Sequence, residues 1–185
     1  MTPSTSDTNW AESAEVFLGT LEVLDSATAL ADLADENIRS VYLSLFKDND
    51  HQVISGQSDW LIAGRQEPAS VFRFHYHSRS PDRLHFMITG SGKNHEKKVG
   101  ISRNGYLGLY RYASVTDYFK FEPLQWTENT LICHWRDHQG HKVRTHHNPA
   151  VATPNFSYLK VLEGEQAIIR ITRVAASSAP DVSLT

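Results

Sequence analysis

The chain has 185 residues, a formal net charge of -3 and one cysteine, Cys133. That length suits a single domain burying roughly 70% of the surface its unfolded form exposes. The mild acidity leaves no general basic field, which argues against a nucleic-acid partner held by phosphate neutralisation, and a lone cysteine rules out an intrachain disulfide framework.

Residues 1–9 are polar and rich in Ser and Thr, and are expected to be disordered. They carry no basic region followed by an apolar stretch, so neither a secretory signal nor a membrane span is expected, and the cytoplasm is the expected compartment. From Trp10 to Leu33 the apolar residues fall at Trp10, Ala14, Phe17, Leu18, Leu21, Val23, Leu24, Leu30 and Leu33. This spacing predicts a helix, with Asp25 and Ser26 capping a second short one over 28–35. Residues 1–37 thus read as a disordered tip and helical leader, whose apolar face either covers the main domain or joins two copies into a homodimer. Residues 38–174 form the main domain, and 175–185, with Ser177, Ser178 and Pro180, a flexible tail.

From Ile38 onward the period becomes alternating and turn residues recur at short intervals. Three similar units emerge. The first has strands over 41–47, 51–55, 60–63 and 71–75; the second over 84–89, 97–101, 106–110 and 118–122; the third over 131–136, 141–144, 158–161 and 168–172. The inward faces agree between units. First strands offer Val41, Leu43 and Leu45, then Leu84, Phe86 and Ile88, then Leu131, Cys133 and Trp135; in this apolar run Cys133 reads as core filler. Fourth strands offer Phe72 and Phe74, Phe119 and Phe121, Ile169 and Ile171, with Arg73, Lys120 and Arg170 between them on a solvated face. Asn104-Gly105 predicts a type I′ hairpin turn.

The pattern is that of an all-β protein and resembles the β-trefoil superfamily, which implies a six-stranded barrel capped by three hairpins over residues 38–174. Val99-Gly100-Ile101 and Tyr118-Phe119-Lys120-Phe121-Glu122 look similar to fascin-like repeats. The Gln-x-Trp of ricin-type lectins is absent: its places hold Phe72-Arg73-Phe74, Phe119-Lys120-Phe121 and Ile169-Arg170-Ile171, so ricin-type sugar sites do not carry over. Kunitz-type inhibitors share the trefoil but rely on disulfides. An eight-stranded lipocalin-like barrel is the rival fold, and it explains neither twelve strands nor the threefold spacing.

Five of the ten histidines lie at His134, His138, His141, His146 and His147, with His95 near if the loops converge. No Cys-x-x-Cys or His-Glu-x-x-His spacing accompanies them, so a solvated polar edge is the first reading, a pH-responsive surface the second, and a metal site with Asp137 as an added oxygen ligand the third. No nucleophile elbow, phosphate loop or dinucleotide fingerprint occurs, and no cofactor or enzymatic activity is expected. Asp48, Asp50, Glu96 and Asp137 read as turn acids.

Aromatic residues beside polar ones suit sugars, whose rings stack on aromatic faces while hydroxyls find Asp or Asn. Asn104, Tyr106, Tyr110 and Asp117 are the candidates in the middle unit, with Asp59-Trp60 and Trp126 with Asn129 as further pairs. Trp60, Tyr106 and Tyr158 each begin a third strand, so they serve either sugar stacking or closure of the barrel end. The expected function is a non-enzymatic, carbohydrate-binding (lectin-like) module. The alternative is a protein-interaction module, fascin-like toward a filament or an inhibitor presenting the loop 146–156, stiffened by Pro149 and Pro154.

Overall fold

A computed structural model of the chain describes residues 10–13, 15–24, 38–43, 60–65, 67–111, 118–147 and 156–174. The strands are β1 (Val16–Leu24), β2 (Ile38–Leu43), β3 (Leu61–Gly64), β4 (Val71–Ser80), β5 (Arg83–Gly90), β6 (Lys98–Ile101), β7 (Leu107–Tyr110), β8 (Phe119–Trp126), β9 (Thr130–Arg136), β10 (Val143–His146), β11 (Phe156–Val161), β12 (Glu165–Gln166) and β13 (Ile168–Val174). All pairings are antiparallel, and a four-residue helix, α1 (Trp10–Ser13), precedes β1.

Six strands close on themselves. β1 pairs with β4, β4 with β5, β5 with β8, β8 with β9, β9 with β13, and β13 with β1 again. Three hairpins, β2–β3, β6–β7 and β10–β11, stand on this ring. Each attaches to the first strand of its unit, through Glu22↔Ser40, Thr89↔Lys98 and Arg136↔Lys142. The hairpins meet one another through β3 with β11 and the bridges Trp60↔Gly108 and Tyr106↔Lys160. The same pairing scheme therefore occurs three times, with β12 as an addition to the third unit.

The ring owes its closure to alternation. Phe72, Phe74, Phe119, Phe121, Ile169 and Ile171 all lie in one core with Leu84, Phe86, Leu131, Cys133 and Trp135, and none is more than 4% exposed. Arg73, Lys120 and Arg170 face outward between them. Inside, the rings interlock edge to face and in stacks: Phe17 lies parallel to Phe74 at 4.8 Å between centroids, and Phe121 stacks on Trp135 at 5.7 Å. Such pairs add about 0.5–1.5 kcal/mol beyond their area.

Three expectations are corrected. The stretch read as a helical leader is β1, a stave of the ring: Phe17, Gly19, Leu21 and Val23 point inward at a period of two. Gly19 belongs there because a Cβ would lie 3.1 Å from the Phe74 ring and 3.2 Å from the Thr172 carbonyl oxygen. Only α1 is helical among the described residues of this segment, and its Trp10 and Ala11 are buried against the barrel. The apolar face, expected either to cover the main domain or to join two copies, packs on its own chain through Trp10, Ala11, Phe17, Leu21 and Val23. The short helix over 28–35 lies outside the described residues.

Second, the first unit starts one strand earlier than expected. β1 is its first strand and Ile38–Leu43 its second; Leu45 and the strand expected over 51–55 lie outside the described residues. Third, the Asn104 turn is not type I′. Among the described non-glycine residues only Leu162 has positive φ, whereas Gly105 has φ +89°. The Gly105 N–H donates to the Ser102 carbonyl and the Ser102 N–H to the Tyr106 carbonyl, the pattern of a three-residue loop whose glycine forms the bulge. No helix among the described residues is long and apolar enough to cross a membrane.

Candidate functional site

The two ends of the ring differ. At the hairpin end, Trp60, Tyr106 and Tyr158 come together although they begin the third strands of three different units. Trp60 stacks on Tyr106 at 4.5 Å and 9°, and Tyr158 meets both edge-on at 5.4 and 5.6 Å. The Lys160 ammonium lies over the Tyr106 ring at 4.6 Å, and the Tyr110 hydroxyl donates to the Tyr106 carbonyl at 3.3 Å. Burial and the neighbouring Tyr106 push the Tyr158 phenol up. Trp60 and Tyr106 turn one face on each other and are half-buried, while Tyr158 is buried. Asn104 stands apart, on a cleft of about 390 Å³ between the turns of the second and third units. Asp59 and Asp117, and Pro149 and Pro154 of the expected inhibitor loop, lie outside the described residues.

The histidine-rich segment is spread over several directions. Asp137 is 4% exposed and serves its own turn: its Oδ1 accepts from the Gln139 and His141 N–H groups at 3.0 and 2.8 Å, and its Oδ2 pairs with His141 Nδ1 at 3.1 Å. His146 reaches the edge of Tyr106. His134 projects from β9, where burial first, then Lys142, hold its pKa below the usual 6.5, partly offset by Glu122. Burial pushes the Cys133 thiol far up, as befits a core position.

A second histidine group, which sequence spacing did not single out, arises from a bulge in β4 between Tyr76 and Ser78. Ser78 Oγ lies 2.7 Å from His77 Nδ1 and 2.8 Å from His85 Nδ1, and Tyr118 is stacked between the two imidazoles at 4.6 and 4.8 Å. Burial, then Lys120, depresses the His85 pKa, so its ring is neutral near pH 7. A hydroxyl shared by two imidazoles can relay a proton. A nucleophile–base pair also uses a third group to orient the base, whereas His85 Nε2 is buried with no hydrogen-bond partner among the described residues.

At the end opposite the hairpins a cavity of about 530 Å³ opens beside α1 and the two-residue turn joining β4 to β5. Its apolar surface comes from Pro81, Leu84, Pro123 and Trp126; its polar surface from Glu12, Arg79, Asp82, Arg83 and Glu122. Local structure puts each in place. Trp126 ends β8 and stands edge-on to Trp10 at 5.5 Å; Trp10 is in turn held by its Nε1 donating to the Thr127 carbonyl and by Arg173 lying over the ring at 5.2 Å. Arg79 donates to Glu12 Oε1 at 2.7 Å, which ties α1 to the end of β4. Glu122 Oε2 accepts from Arg136 Nη2 at 3.2 Å, and Arg83 Nε lies 3.6 Å from the same oxygen.

Among the described residues of the expected site set, Trp126 is thus the one that lines this cavity. Asn129 shares its hairpin but is engaged elsewhere: its Oδ1 accepts from Arg173 Nη2 at 3.1 Å and its carbonyl from the Arg173 N–H at 2.7 Å. Arg79, Arg83, Glu12 and Glu122 were not singled out from the sequence. The signal available was Pro81-Asp82 flanked by two arginines, a turn with paired cations on its shoulders. Among the described residues no group of three or more His, Cys, Asp or Glu side chains is arranged to hold a metal ion. No family model, curated protein or solved structure matches the chain.

Proposed function

We propose that the chain is a β-trefoil binding module without catalytic activity and that it binds carbohydrate in the cavity beside Trp126. The closed ring of six strands and three equivalent hairpins supports the trefoil assignment. The observation that carries the function is the cavity itself. At about 530 Å³ it falls within the range of roughly 300–1,000 Å³ typical of small-molecule sites. It sets one tryptophan against carboxylate acceptors and guanidinium donors, the combination that a ring with one apolar face and several hydroxyls requires.

Calorimetric titration with sugars selected on a glycan array tests this on the wild type and on Trp126→Ala, with melting curves to check that the variant folds. Binding by the wild type and a loss of tenfold or more in the variant is expected, about 1.4 kcal/mol of contact. No binding at millimolar sugar, or equal binding by both proteins, would turn the assignment toward a protein ligand.

A further inference from the structure

The outer side of the ring carries charge that its own carboxylates do not balance. Strand alternation fixes the arrangement: with Phe72, Phe86, Phe119 and Trp135 buried, their neighbours Arg73, His85, Lys120 and Arg136 face outward. Directly paired residues share a face, so the register sets them in rows. In one row Arg73 on β4 stands opposite Thr89 on β5, and Thr89 opposite Lys98 on β6. In the other, Ser78, His85, Lys120, Arg136 and Lys142 follow one another across four pairings, about 19 Å at the usual strand spacing.

Arg73, Lys98, Lys120 and Lys142 have no carboxylate within ion-pair distance among the described residues. The carboxylates beside the rows are already answered: Glu122 by Arg136 at 3.2 Å, Glu96 by Arg111 at 3.7 Å, and Asp137 by its own turn. Four cations therefore stand in surplus on this wall among the described residues. The histidines register it. His75, His85 and His134 are each held below 6.5, first by burial and next by Arg73, Lys120 and Lys142 respectively, and only Glu122, at His134, acts the other way.

The rest of the wall limits what could answer that charge. Among the described residues the exposed large apolar side chains are Val16, Leu124 and Leu162, none of them in either row, so the rows offer a membrane no apolar anchor. β4, β5, β8 and β9 are each paired on both sides, which leaves no edge for a peptide strand. Tyr118, the aromatic ring beside the second row, is already stacked with His77 and His85, where a single-stranded nucleic acid would need it for a base. A sulfated polysaccharide needs none of these, since it brings closely spaced anions that take charge-assisted N–H···O bonds.

We infer that this wall is a second binding surface, separate from the Trp126 cavity, and that its partner is a sulfated polysaccharide lying across β4, β5, β8 and β9. Lys120 and Lys142 hold one stretch of sulfates, Arg73 and Lys98 another.

Calorimetric titration of the full chain with heparin, beside chemically desulfated heparin, tests it. Heparin should bind at about 50 mM salt and lose tenfold or more in affinity at about 200 mM, as when some four cations displace counterions. Desulfated heparin should bind tenfold or more weakly. Lys120→Gln with Lys142→Gln, and separately Arg73→Gln with Lys98→Gln, should each cost fivefold or more, whereas Arg103→Gln, at an exposed cation in the turn between β6 and β7, should bind as the wild type does. Trp126→Ala should keep heparin affinity, so a failure here and a failure of the cavity reading are told apart. The comparison of sulfated with desulfated chain stands on the wild type alone should a variant fail to fold. No heparin binding, equal binding of the desulfated chain, or folded double variants that bind like the wild type would overturn the surface. Tighter binding of single-stranded oligothymidylate or of phosphatidylserine vesicles than of heparin would overturn its partner class.

Discussion

If β1 is a stave of the barrel, residues 1–24 cannot be removed without opening the ring. β1 is paired over seven residues with β13 and over five with β4, and its Glu22 is ion-paired with Arg170 and accepts from Thr172 Oγ1. Its side chains Phe17, Leu21, Val23 and Leu24 are each no more than 6% exposed. Burying such groups is worth roughly 1.5–3 kcal/mol apiece, so the four account for about 6–12 kcal/mol, comparable with the whole net stability of a domain, about 5–15 kcal/mol. The deletion should therefore leave a chain without a cooperative urea transition and with collapsed amide dispersion in a nitrogen–proton correlation spectrum. The milder Leu21→Ala, at a fully buried position, should fold and lose about 2–5 kcal/mol. A deletion protein that melts cooperatively at the wild-type urea midpoint would refute the placement of β1 in the ring.

Two further outcomes follow from local chemistry. Leu162 is 68% exposed at φ 74°, a left-handed conformation costing a leucine about 1–2 kcal/mol, of which glycine's extra chain entropy returns about 0.5–1 kcal/mol; Leu162→Gly should be neutral to stabilising by chemical denaturation, and a loss of stability would contradict the strain. His75, His85 and His134 are all depressed below 6.5, in each case first by burial and then by neighbouring cations. The unfolded chain therefore takes up protons before the folded one as pH falls below about 6.5, at up to about 1.4 kcal/mol per pH unit per proton. The melting temperature should drop between pH 7 and 5, less steeply in a His85→Gln variant, and a flat profile would show that these rings are not buried as neutral groups.

The second and third units were legible because strands such as β8 and β13 alternate between a covered and an open face, and turns there carry glycine at positive φ, as Gly105 and Gly140 do. β1 was not, and the reason is physical. Its outward Leu24 packs under β2 with Ile38, Ile132 and Ile168, so the strand carries apolar groups on both faces. Phe17, Leu18, Leu21 and Leu24 then fall at helical spacing by coincidence, and the inward alternation of Phe17, Leu21 and Val23 is hidden by a glycine at position 19. The three third-strand aromatics were legible as a set, but sequence alone left open whether they faced a ligand or one another. That depends on the convergence of three hairpins, which no local pattern encodes. Arg83 was harder still: an arginine beside Pro81-Asp82 looks like any solvated turn cation, and its place beside Glu122 in the cavity is a property of what surrounds it in space.

Asp137 and Lys160 are engaged by their own surroundings more fully than Arg83 is. Asp137 is 4% exposed, yet both its oxygens are consumed by its own turn; Lys160 lies over Tyr106 and donates to Glu163, which depresses that carboxyl. Such groups have little left to offer a ligand. At the α1 end the barrel is covered by one turn of helix anchored by Trp10, and the Arg83 guanidinium lines a cavity with no hydrogen bond to the described residues. On the proposed reading, that difference favours the α1 end over the aromatic cluster and the histidine-rich turn as the place for a ligand.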